Sequence, residues 1–145
     1  MLESLCFTQG VWPNALKVAE IVPVHKSKEK NNPSNYRPIS LISNLAKILE
    51  KILHMRLLKF IQKSNILSKM KFGFLKKRST NNALKFITNT IVNKLDKSGP
   101  IAITFLDLSK AFDTVDHKLL LKKLYNYGIG GNAQQLISCY LSGIF

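Results

Sequence analysis

Acidic side chains are scarce in this chain. Eight Asp and Glu stand against 22 Lys and Arg, a formal net charge of +14. That balance points to a polyanion partner, because clustered Lys and Arg gain free energy by releasing counterions condensed on nucleic acid. On charge alone, membrane-surface and ribosome-associated readings stay open. Cysteine is scarce too: Cys6 and Cys139 are the only two, far apart and without metal-ligand spacing to His25, His54 or His117. Both read as reduced, buried thiols of an intracellular protein, in nucleus or cytoplasm. No apolar run reaches the roughly 18 residues of a membrane span. The amino terminus lacks a charged-then-apolar pattern, so the chain is not expected to be secreted. Internal repeats and long linkers are missing as well. With 145 residues, 46% of them hydrophobic, the chain has one domain's worth of core-forming material.

What acid there is collects in one place. Residues 105–117 read FLDLSKAFDTVDH and hold Asp107, Asp113 and Asp116, three of the eight acidic residues. Just before them, residues 100–106 alternate and are rich in β-branched and aromatic side chains, which predicts a strand with Ile101, Ile103, Phe105 and Asp107 on one face. Asp107 then stands at the carboxyl end of a buried strand, where a carboxylate suits a hard divalent cation such as Mg²⁺. Taken alone, an Asp after a strand reads first as a helix cap or strand-end residue facing solvent.

Along the rest of the chain, an apolar opening at residues 2–7 leads to Gly10 and Pro13, then to a strand over 16–24. Residues 26–36 form a polar loop, and a second strand follows Pro38 over 39–42. Ser43 or Asn44 can cap a helix that carries Leu45, Ile48, Leu49, Ile52 and Leu53 and runs to about Gln62. Ser79 or Thr80 caps a second helix bearing Leu84, Ile87, Ile91 and Leu95, ended near Gly99. Asp116 can cap a third over 118–127, and a fourth covers 132 to about 141. This order of strands and helices predicts a mixed α+β fold.

The segment FLDLSKAFDTVDH resembles the first palm motif of reverse transcriptases, in the form found in non-LTR (LINE-type, jockey-like) retrotransposons. Residues 35–43, NYRPISLIS, continued by NLAKILE, resemble a finger motif of the same family, and residues 72–80, FGFLKKRST, resemble the next finger segment. Upstream, Trp12, Lys17 and AEIVPVHK fit the family's entry to the fingers. The resemblance covers nearly the whole chain, in the family's order.

The resemblance implies a right-hand polymerase with residues 1–98 in the fingers and 99–145 in the amino-terminal part of the palm. It implies an RNA-directed DNA polymerase of a mobile element, with RNA template, DNA primer and deoxynucleoside triphosphates as partners and no membrane. Two metal ions about 4 Å apart, Mg²⁺ in the full-length parent, would stabilise the attacking and leaving oxygens. Asp107 would ligate both and the Leu108 carbonyl one. Phe112 matches the bulky side chain that packs under the sugar, though it also reads as a core aromatic. Lys110 and Ala111 would approach the triphosphate. Arg37 is either a triphosphate clamp or a salt bridge with Glu29 or Glu50. Phe72 and Phe74 either stack on template bases or pack beneath the fingers. Lys76, Lys77 and Arg78 are either template contacts or a solvated loop. Asp116 reads best as a helix cap, and Asp113 has no derived role.

The chain departs from the pattern in two ways. Lys71 replaces the family's usual Gln, and Leu75 stands where Arg normally follows. The resemblance further places the Gly-Pro-Gln-Gly segment, the Tyr-x-Asp-Asp carboxylates and the thumb beyond Phe145, so the fold is expected to be truncated and the chain inactive by itself. The other carboxylates, Glu3, Glu20, Glu29, Glu50 and Asp96, fall in separate predicted elements. A non-catalytic, basic nucleic-acid-binding remnant is the alternative, and a small packing domain a third. Without strands to pair with residues 100–107, an exposed apolar edge is expected to make the isolated chain poorly soluble.

Overall fold

A computed structural model describes residues 2–26, 29–108 and 111–143. In chain order these form α1 (Leu2–Gln9), β1 (Ala19–His25), β2 (Tyr36–Ile42), α2 (Asn44–Lys63), α3 (Thr80–Ser98), α4 (His117–Asn126) and α5 (Gly131–Leu141), with short 3₁₀ turns at Asn14–Leu16 and Pro33–Asn35. The chain divides into two compact units, residues 1–60 with 115–145, and residues 61–114. No described helix is long and apolar enough to cross a membrane.

The first unit holds the core. Cys6 of α1, Trp12, Leu49 and Leu53 of α2, Ile129, and Leu136 and Ile137 of α5 bury their side chains together. In α2 the buried residues Ala46, Leu49 and Leu53 recur at three- and four-residue spacing, so one face of that helix turns inward. Gly10 closes α1 at φ +68°, where an added Cβ would lie 2.9 Å from the Asn132 carbonyl oxygen. Only glycine meets both conditions cheaply. Asn132 in turn donates from Nδ2 to the Thr8 carbonyl, tying the end of α1 to α5. At the centre, Trp12 packs on Tyr140 with ring centroids 4.5 Å apart, and Tyr140 Oη donates to Glu50 Oε1 at 2.6 Å. Burial raises the Tyr140 pKa above the usual phenol range, and the Glu50 carboxylate raises it further. Burial also pushes the Cys6 thiol up, and both cysteines are free.

β1 and β2 pair antiparallel, from Ala19 opposite Ile42 to His25 opposite Tyr36. Pro23 faces Pro38 across the ladder, so neither residue donates a hydrogen bond at that rung. The connection is held at its base by Lys26 N donating to Asn35 O at 2.7 Å, and by Tyr36 Oη donating to Lys30 O at 2.9 Å. The first strand begins three residues later than the alternation predicted, because residues 14–16 coil into a 3₁₀ turn after Pro13.

The second unit is built on α3. Ser79 caps it, its Oγ accepting from Asn82 N, and Gly99 ends it at φ +81°. Ile87 and Ile91 are half-buried, whereas Leu84 and Leu95 stay exposed. A groove of about 390 Å³ runs between Phe86, Ile87, Ile91 and Lys94 of α3 and residues 101–104.

One expectation fails here. Residues 101–108 form no strand. A strand exists only through a neighbour's backbone hydrogen bonds, and among the described residues the one strand pairing is that of β1 with β2. The alternating side chains are consequently not buried: Phe105 is 80% exposed and Leu106 90%.

Candidate functional site

The predicted site residues are distributed over both units. Arg37 lies on β2 in the first unit, opposite Val24 and exposed. Glu50, one of its predicted ion-pair partners, is instead bonded by Tyr140, and among the described residues Arg37 pairs with neither Glu29 nor Glu50. The guanidinium therefore extends from a paired strand into solvent. Asp107, Leu108, Ala111, Phe112, Phe72, Phe74, Lys76, Lys77 and Arg78 all belong to the second unit. Lys110, predicted to approach the triphosphate, lies outside the described residues.

Asp107 is exposed in the irregular run that precedes a turn at residues 111–114. Its position at the end of a buried strand, expected from the alternation, is not realised. What the unit does assemble is an aromatic and cationic cluster. Phe112, 77% exposed, meets the Phe74 ring edge-on at a centroid distance of 6.1 Å and an angle of 85°. Lys71 Nζ lies 5.6 Å from the Phe74 centroid. The FGF aromatics take different roles in this arrangement. Phe72 is half-buried, packed on Phe86 of α3 at 5.9 Å, with the Arg78 guanidinium 5.3 Å from its ring. Phe74 is 86% exposed. Packing thus accounts for Phe72, and a free aromatic face is left on Phe74.

The loop between these groups is wound tightly. Phe74 and Lys77 both adopt left-handed backbone angles, φ +59° and +62°, which cost a non-glycine residue about 1 kcal/mol or more each. Turn hydrogen bonds from Lys71 N to Ser68 O and from Arg78 N to Leu75 O hold it. Lys76, Lys77 and Arg78 are all exposed. Sequence reasoning missed Phe86 as a member of the cluster, since it sits beside the predicted apolar stripe of its helix, and it marked Lys71 only as a departure from the family pattern, not as a neighbour of Phe74.

A divalent ion takes about six oxygen ligands, several of them from the protein when it is held without substrate. Asp107 and the Leu108 carbonyl offer two ligand groups, and among the described residues no three His, Cys, Asp or Glu side chains come together. The carboxylates of Glu20, Glu50 and Asp96 sit on β1, α2 and α3. Asp116 is occupied as the cap of α4, accepting from Lys118 N at 2.8 Å and Leu119 N at 3.1 Å. These residues alone do not fit a two-metal centre.

Comparison with known proteins bears on this arrangement. A family model described as reverse transcriptase (RNA-dependent DNA polymerase) matches residues 25–144. The probable RNA-directed DNA polymerase from transposon BS of Drosophila melanogaster is 34% identical over 78% of this chain and 13% of its own length. The RNA-directed DNA polymerase from mobile element jockey of the same species is 34% identical over 79% of the chain and 13% of its own length. A Pol polyprotein of type-1 retrotransposable element R2 from Popillia japonica is 29% identical over 82% of the chain and 16% of its own length. The chain therefore spans about an eighth of the first two relatives. No solved structure matches.

Proposed function

This chain belongs to the reverse transcriptase (RNA-dependent DNA polymerase) family, and from that premise we propose that it is the fingers and the first part of the palm of a right-hand RNA-directed DNA polymerase, inactive by itself. Residues 1–98 supply the fingers and 99–145 the palm segment. The division follows chain order, whereas the compact units follow packing.

The observation that carries this reading is the contact of Phe74 with Phe112. It joins the FGF finger segment to the aromatic that lies five residues after Asp107. In the proposed assembly, Phe112 abuts the nucleotide sugar, with Ala111 and Lys110 beside the triphosphate and Arg37 gripping phosphate oxygens through its planar guanidinium. Phe74 offers its open face to a template base, and Lys76, Lys77 and Arg78 contact the template backbone. Phe72 orients this loop from below. Asp107 and the Leu108 carbonyl are the chain's share of an Mg²⁺ site whose other carboxylates come from elsewhere in a full-length polymerase. We place the protein inside the cell, in nucleus or cytoplasm, with an RNA template, a DNA primer and deoxynucleoside triphosphates as partners.

The test is binding and extension of a primer annealed to poly-rA. The expected result is binding that weakens steeply with salt, since each phosphate contact releases about 0.7 to 0.9 counterion, together with no extension. Phe74→Ala should weaken binding by about 1 to 3 kcal/mol, the cost of one lost stacking platform. Extension that disappears in Asp107→Ala would show a complete metal site and sink the proposed incompleteness. Binding indifferent to salt and to Phe74 would remove the nucleic-acid role.

A further inference from the structure

The segment from Phe72 to Arg78 has neither helix nor strand, yet it is tightly wound. Phe74 and Lys77 stand at φ +59° and +62°, where the clash of Cβ with the backbone opposes every residue but glycine. An ordered loop needs attachments that offset this. The turn bonds from Lys71 N to Ser68 O and from Arg78 N to Leu75 O do not enclose Phe74. A side-chain contact does. The Arg78 guanidinium carbon lies 5.3 Å from the Phe72 ring centroid, inside the roughly 6 Å at which a ring face attracts a cation. Phe72 rests in turn on Phe86 of α3, with centroids 5.9 Å apart and planes inclined by 39°. Arg78 itself stands two residues before α3 begins at Thr80. The chain thus leaves the Phe72 ring, winds through residues 73–77 and comes back onto that ring, with the stack seated on one helix of one compact unit.

We propose that Arg78 is a positioning residue: its guanidinium, laid against Phe72, closes the loop over residues 72–78 and fixes the left-handed turn that sets Phe74 against Phe112. This role deepens the polymerase reading and rests on it for its consequence in binding, since Phe74 is the ring offered there to a template base. Arg suits the task better than Lys. A planar guanidinium places its face on a ring and keeps its edge N–H groups for a phosphate, whereas an ammonium is a strongly hydrated point charge. One side chain therefore closes the loop and still reaches the template backbone. A cation–π contact at an exposed site shifts the balance of wound over open loop about two- to fivefold. Affinity falls with the fraction of chains in the wound state.

The test is Arg78→Lys in the intact chain, which keeps the charge and removes the planar stack. On the free protein, nuclear Overhauser contacts between the Phe74 and Phe112 rings report the loop's position. They are expected to weaken about twofold or more in Arg78→Lys. Phe72→Leu should weaken them as well, and the double variant should lose no more than either single one, because both remove the same contact. Arg78→Lys carries the test alone if Phe72→Leu fails to fold. With the primer annealed to poly-rA, Arg78→Lys should bind about twofold more weakly at an unchanged salt slope, since no phosphate contact is lost. In a Phe74→Ala background the same substitution should have no effect on affinity. Ring contacts in Arg78→Lys equal to those of the parent chain would overturn the proposal. An affinity loss of the same size with and without Phe74 would also overturn it, by showing that Arg78 acts on nucleic acid directly. Weakened ring contacts in a parent chain that binds no primer-template would support the positioning role and sink the nucleic-acid reading instead.

Discussion

Tyr140 shows how one side chain decides between readings of several others. By bonding Glu50 it removes the carboxylate that Arg37 was offered, and by packing on Trp12 it joins α5 to the core. The bond has a pH signature. Burial first, and then Glu50, raise the Tyr140 pKa in the folded chain, whereas the unfolded phenol titrates near about 10. Below that pH both states hold the proton and the contribution to stability is complete. Above it the unfolded state loses the proton first, so the contribution shrinks as pH rises toward the folded value. Tyr140→Phe should cost about 1.5 kcal/mol at neutral pH, the low end for a hydrogen bond to a charged group. The gap between the two proteins in urea denaturation should stay level up to about pH 10 and close above it. A gap that is constant through pH 11 would mean that the phenol is not held by burial and Glu50.

At the scale of elements, α2 to α5 were legible because their signals are local, whereas α1 read only as an apolar opening. Ser79 and Gly99 bracket α3 as a cap and a stop, and Asp116 caps α4, all within one turn of where the sequence puts them. Residues 101–107 carry an equally clear alternation and yet form no strand, since alternation specifies a face but not the neighbour that must bond to it. The cap reading of Asp116 separates it from Asp107 by experiment. Asp116→Ala should lower stability by about 0.5 to 2 kcal/mol, as caps do, with primer-template affinity unchanged. Asp107→Ala, at an exposed and irregular position, should leave the urea midpoint unmoved. Equal midpoints for Asp116→Ala and the parent chain would show that α4 does not depend on its cap. The site was legible in the same uneven way. Motif order nominated Asp107 and Phe112 as candidates, but the choice between stacking and packing for Phe72 rested on where α3 places Phe86.

Across the whole molecule, burial and charge are divided unequally. The fully buried apolar side chains, from Cys6 to Ile137, all belong to the first unit, and among the described residues the second unit has none. Stability follows buried apolar area, and regions with few such contacts open at lower free energy than the core. The second unit also displays Phe74, Phe105, Leu106, Leu108 and Phe112, each more than 75% exposed, on a chain whose charge of +14 opposes association. Native-state hydrogen exchange should therefore resolve two openings. Amides of α3 and residues 101–108 should exchange first, and those of α5, around Leu136, only with global unfolding. Raising the salt should screen the repulsion and bring the exposed segment into association, read as light scattering that grows with ionic strength while α5 protection stays intact. A single opening free energy shared by α3 and α5 would show that the two units fold as one, and that burial in the first unit supports the motifs of the second.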